Sequence, residues 1–118
     1  IKDIKSDTKD FFETLRATGH DGLSSREDQF GVGATKIMNF LFPKLFVIAD
    51  QWVRKGLRKT GFMDFQKYWS ILMICRKELE EWRTIHGNLN SLIALDQQPT
   101  TLTRLFDKCA FVMGKFGL

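Results

Sequence analysis

The stretch Asp64–His86, DFQKYWSILMICRKELEEWRTIH, decides the fold class. Phe65, Tyr68 or Trp69, Leu72, Cys75, Leu79 and Trp82 recur every three or four residues, a heptad-like seam over more than five helical turns. The other side carries Arg76, Lys77, Glu78, Glu80 and Glu81, charges of both signs that suit a solvated face. Gly87 is placed to end the helix. The seam predicts a central packing helix over about 64–86 and an all-α domain built round it.

On the C-terminal side, Asn90–Leu95 reads as one short helix and Asp96-Gln97-Gln98-Pro99 as a turn. Thr101 then suits the N-cap of a last helix with Leu102, Leu105, Phe106, Cys109, Ala110 and Met113 on its apolar face. On the N-terminal side, residues 2–17 form an amphipathic pattern around Ile4, Phe11, Phe12 and Leu15 that Gly19 is expected to stop. Ser24 and Glu27 fit a capping box ahead of at most one helical turn. Gly31-Val32-Gly33 is read as a tight turn, followed by a short helix from Ala34 to Leu41 with Ile37, Met38, Phe40 and Leu41 inward. Pro43 stops that helix, because the residue before a proline is pushed out of helical geometry. Leu45–Ile48 is apolar with no partner strand in sight, hence a buried connection or a helical turn. Asp50 suits the N-cap of a helix over Gln51–Lys59, with Gly61 as its stop. The sum is a single helical domain of five or six helices over residues 1–118. Its first residue is Ile, so it reads equally as a piece of a longer chain.

Composition bounds the function. A chain of 118 residues with 43% hydrophobic and 13% aromatic content can bury one core. A net charge of +4 and a pI near 9.2 permit an acidic partner without requiring one. Cys75 and Cys109 lie in apolar patterns without metal-ligand spacing and read as reduced core thiols of a cytoplasmic protein. No apolar run approaches ~18 residues, so no membrane span is expected. His20 and His86 each follow a helix near a glycine, away from other ligands, so neither a metal nor a cofactor is expected.

Two features carry chemistry. Successive N–H groups at a glycine turn entering a helix can cradle an anion. Gly31-Val32-Gly33-Ala34-Thr35-Lys36 offers that pattern and resembles the hairpin of helix-hairpin-helix proteins, which grips a DNA phosphate. Gln29 and Phe30 stand where that family usually has Leu-Pro. Beyond it, Phe46-Val47-Ile48-Ala49-Asp50-Gln51-Trp52-Val53-Arg54-Lys55-Gly56-Leu57 is similar to the segment of helix-hairpin-helix DNA glycosylases in which a catalytic Asp opens a helix. Gln51-Trp52 replaces the usual Thr-His, and Thr35 stands where bifunctional members have a nucleophilic Lys, with Lys36 one further on. The resemblance covers residues 28–61. It implies hydrolysis of an N-glycosidic bond in DNA repair, with Asp50 catalytic and Gly31, Gly33 and Lys36 on phosphate. Arg54, Lys55, Arg58 and Lys59 form the densest basic cluster, placed to meet the DNA backbone, and Trp52 could stack on a base. Residues 34–50 and 105–115 also resemble small prokaryotic helical proteins of unassigned function, which implies no activity.

Each feature has a plainer reading: Asp50 as a helix cap, 54–59 as a solvated face, Trp52 as a core anchor. Two function classes therefore stand side by side. One is a DNA-interacting domain with a glycosylase-like base-excision core. The other is a non-enzymatic protein-interaction module that docks a partner on the long helix. Whether Asp50 sits in an open cleft or in a packed core discriminates between them.

Overall fold

The computed structural model describes residues 3–22, 27–87 and 101–117. Five helices, α1 (Ile4–Gly22), α2 (Glu27–Leu41), α3 (Gln51–Gly56), α4 (Phe65–His86) and α5 (Leu102–Phe116), make an all-α fold with no strand among the described residues. The expected caps at Asp50 and Thr101 are in place. Asp50 accepts from the amides of Trp52 and Val53, and Thr101 from that of Arg104. The amide of Lys67 is held likewise by Asp64, and Gly87 closes α4 with φ 74. The capping box at Ser24, the helix at 90–95 and the turn at 96–99 lie outside the described residues.

The long helix α4 is the floor of the core. Phe65, Tyr68, Ile71, Leu72 and Cys75 are buried on it, joined by Phe12 of α1, Ala34 and Met38 of α2 and Phe106 of α5. Of the two seam alternatives Tyr68 is the fully buried one, its ring stacked 5.5 Å from that of Phe12, while Trp69 is half-buried.

Between α2 and α3 runs the segment that organises the molecule. Residues 46–50 belong to no helix or strand, and Val47 and Ala49 are fully buried. A buried backbone outside helix and strand must find partners for its polar groups. Here side chains of three helices supply them. Asn39 Nδ2 donates to the Phe46 carbonyl at 2.7 Å and the Tyr68 hydroxyl to that of Val47 at 2.8 Å. The Ile48 amide donates to Asp107 Oδ2 at 3.1 Å, and the Ala49 amide to Thr35 Oγ1 at 3.1 Å. The buried connection expected at Leu45–Ile48 is thus present, except that Leu45 itself is exposed.

Several expected boundaries are corrected. α1 runs past Gly19 to Gly22. Gly31 and Gly33 do not turn the chain; they lie inside α2, which is continuous from Glu27. Glycine at position 31 serves close packing, since a Cβ there would sit 2.4 Å from the Met63 carbonyl oxygen. Phe40 and Leu41 point outward: the inward face of α2 is set by Ala34, Thr35 and Met38, and Phe40 lies roughly 200° round the helix from Met38. α3 stops at Gly56, three residues early. Its C-terminal carbonyls on Arg54 and Lys55 are taken by the amides of Lys59 and Arg58, and Arg58 takes the left-handed position just past the helix with φ 59, while Gly61, φ 99, lies in the turn beyond.

The apolar face of α5 is also rotated from expectation. Thr103, Phe106, Asp107, Ala110 and Gly114 are buried, whereas Cys109 and Met113 are exposed. The cause is its neighbour. At Gly114 a Cβ would meet the Trp52 carbonyl oxygen at 1.9 Å, and at Gly56 the Ala110 carbonyl oxygen at 2.0 Å. The backbones of α3 and α5 touch, so only small side chains fit between them.

Candidate functional site

The sequence-derived candidates fall into three groups. Gly31 and Gly33 are removed from any phosphate cradle. Inside α2 their amides belong to the helical hydrogen-bond ladder, so none is presented to an anion.

Asp50 is half-buried and lies at the lip of two clefts rather than in the packed core. One, of about 420 Å³, adjoins Val32, Arg54, Phe62 and Met63. The other, of about 470 Å³, brings Asp50 together with Lys36, Arg104, Asp107 and Lys108. Asp50 Oδ1 accepts both capping amides, from Trp52 at 3.0 Å and Val53 at 2.9 Å. Its Oδ2 accepts no hydrogen bond among the described residues. Lys36, placed by the sequence reading on the phosphate turn, is instead on α2 beside Asp50, and exposed.

The basic cluster does not form one helical stripe, because α3 ends before Arg58 and Lys59. Arg54 has a structural task. Its Nε donates to the Asp50 carbonyl at 3.3 Å and its Nη1 to that of Gly61, clamping the turn after α3 onto the helix. Burial lowers its pKa, with Asp50 opposing that shift. Lys67 holds the same turn from the other side, its Nζ donating to the carbonyls of Thr60 at 2.7 Å and Phe62 at 2.8 Å. Lys55 and Arg58 are exposed and Lys59 half-buried. Trp52 is half-buried, with Lys55 Nζ 5.6 Å from its ring centroid.

Sequence reasoning missed Asp107. It is 2% exposed, bonded to Arg104 Nη1 at 2.5 Å and to the Ile48 amide. Burial pushes its carboxyl up to about 6, against the Ile48 amide and Arg104, which hold the charged form. Burial likewise pushes the Cys75 thiol up to about 12, with Asp107 adding to it, so Cys75 stays a protonated core residue. The signal for Asp107 was available: an acid between Phe106 and Ala110 on a face otherwise read as apolar. Thr35 and Asn39, four apart on α2, carried the same signal.

Tertiary packing gathers charge. The two segments 50–61 and 101–117, brought together by the Gly56–Gly114 crossing, hold seven Lys or Arg against two acids, and the rest of the chain holds eleven against twelve. Both acids of the basic unit are occupied, Asp50 as a cap and Asp107 beneath Arg104. Among the described residues no group of His, Cys, Asp and Glu is placed to hold a metal ion, and no helix is long and apolar enough to cross a membrane. No family model, curated protein or solved structure matches the chain.

Proposed function

We propose that the protein binds nucleic acid, DNA in the first instance, through the basic unit formed by α3, the turn after it and α5. The observation that supports this is the charge polarity. A nearly neutral body carries one packed unit with a surplus of five positive charges, and that unit's acids are engaged internally. Such a patch attracts a polyanion and gains free energy by releasing the counterions condensed on it. Lys55, Arg58 and Lys59 are the residues we place on phosphate, joined by Lys36. Arg54 acts behind them by fixing the turn that presents them.

The test is binding of a labelled DNA duplex by fluorescence anisotropy across a salt series. Affinity falls steeply with salt, and Arg58→Gly with Lys59→Ala flattens the logarithmic slope by about 1.8, two contacts at roughly 0.9 each. Glycine at position 58 suits the left-handed backbone there, so charge is removed without a cost in folding. Undetectable binding in low salt of both the duplex and a single strand of the same length would transfer the case to the protein-interaction module, for which exposed Phe40, Leu45 and Ile4 supply apolar surface.

A second reading adds chemistry at Asp50. A carboxylate at a cleft with one oxygen fixed by two amides, and the other without a hydrogen bond among the described residues, has the character that glycosidic cleavage asks of an acid facing an oxocarbenium-like centre. This is the glycosylase-like activity implied by the resemblance, now without its hairpin.

A further inference from the structure

The cleft beside the first turn of α3, about 320 Å³, is lined by Gln51, Trp52, Arg54, Lys55, Thr60 and Gly61. Among the described residues its lining holds one aromatic residue, two cations, an amide and a hydroxyl, and no acid. From this set we infer that the cleft receives one unpaired base of a single-stranded nucleic acid, stacked on the Trp52 indole. The inference rests on the nucleic-acid reading above and specifies the form of the polymer.

Three observations carry it. First, the ammonium of Lys55, an exposed and flexible side chain, stands over a face of the indole, 5.6 Å from the ring centroid. A lysine stem swings aside at small cost and returns its charge to the phosphate of the incoming nucleotide, whereas a packed aliphatic neighbour would not give way. Second, the turn that lines the cleft with Thr60 and Gly61 is held in place. Arg54 anchors the Gly61 carbonyl, and Lys67 anchors those of Thr60 and Phe62, so the turn stands ready without a ligand and little ordering cost is left for binding. Third, Arg58 and Lys59 follow directly at the end of α3, in reach of the phosphates on either side of a stacked base. A paired base has both faces covered by its neighbours in the duplex. Only an unpaired base can lie on Trp52, so the site favours single strands. Every base has a π face, so the preference is for strandedness more than for sequence.

The experiment compares three labelled 12-nucleotide probes by anisotropy in low salt: oligodeoxythymidylate, an abasic strand of the same length and charge, and a duplex. Parent and Trp52→Leu are run side by side, with melting curves for both. The base-bearing strand binds about tenfold or more tightly than the abasic strand, and indole fluorescence is quenched on binding. Trp52→Leu brings the base-bearing strand to the abasic level and leaves abasic affinity unchanged. If parent protein binds the base-bearing and abasic strands equally, or binds the duplex as tightly as the single strand, the stacking site is refuted while the polyanion reading stands. That comparison needs no variant, so it decides the matter even if Trp52→Leu melts early. If a folded Trp52→Leu keeps parental affinity for the base-bearing strand, Trp52 is not the platform. If none of the three probes binds, the nucleic-acid reading itself fails, and this inference with it.

Discussion

Two aspartates in this protein illustrate how position decides what a carboxylate does. Asp50 caps α3 with a single oxygen. Asn caps nearly as well, so Asp50→Asn leaves the melting curve close to the parent, while Asp50→Ala lowers stability by about 1 kcal/mol. If Asp50 also performs chemistry, base release from duplexes with damaged or modified bases, read as strand nicking after alkali, falls by orders of magnitude in Asp50→Asn. A parent that releases nothing from a broad panel would leave Asp50 a cap alone. Asp107 is buried, and its carboxyl titrates near 6 in the fold against 3.8 when unperturbed. The folded state therefore holds this proton more tightly than the unfolded chain. Its stabilising contribution is complete below about pH 4 and is lost as pH rises through about 6. Measured against Asp107→Asn in chemical denaturation, the parent gains about 2–3 kcal/mol in relative stability between pH 7.5 and pH 4, from a difference of about two pH units at ~1.4 kcal/mol each. A difference that stays constant over that range would show that Asp107 does not titrate there.

At the scale of elements, the crossing of α3 and α5 is the contact most sensitive to a single atom. α3 has only six residues and could not persist alone in water. It is held by its cap, by the paired carbonyls at its end and by backbone contact with α5. Gly114→Ala sets two effects against each other. Alanine favours the helix by about 1 kcal/mol, and the added methyl meets the Trp52 carbonyl oxygen at 1.9 Å, where no flexible side chain can yield. Forced separation of packed elements typically costs ~1–3 kcal/mol or more, so the clash wins and the variant is net destabilised. Thermal and urea unfolding read the sign directly, and a Gly114→Ala protein as stable as the parent would mean the two helices can part freely. Because the same crossing brings the basic residues together, the proposed nucleic-acid binding predicts that the variant also loses DNA affinity beyond its loss of folded protein.

For the molecule as a whole, the irregular segment 46–50 explains features that look unrelated along the chain. Four polar side chains, Thr35, Asn39, Tyr68 and Asp107, converge from α2, α4 and α5 onto its backbone. Each sits on the inward side of a helix, where an apolar residue would leave a buried amide or carbonyl without a partner. The segment in turn ends at Asp50, which starts α3 and sets the basic unit against α5. A net charge of +4 says little by itself; the two segments that hold the surplus lie about forty residues apart in the chain and meet because α3 and α5 pack together.

What the sequence determined alone was set by local rules. The period of Phe65, Tyr68, Leu72 and Cys75 made α4 a helix and placed its buried side. Pro43 ended α2, and Asp50, Asp64 and Thr101 capped what followed, because caps and breaks depend on neighbours a few residues away. Tertiary structure decided the rest. Gly31-Val32-Gly33 carries the local marks of a turn, yet the segment is helical, since the approach of Met63 needs the missing Cβ there. The buried face of α5 carries small and polar residues beside Phe106, since its partners are the backbone of α3 and the amide of Ile48, which Asp107 satisfies. A glycine kept for closeness and an aspartate kept for a distant amide cannot be told from a turn and a solvated charge until the partner is in place.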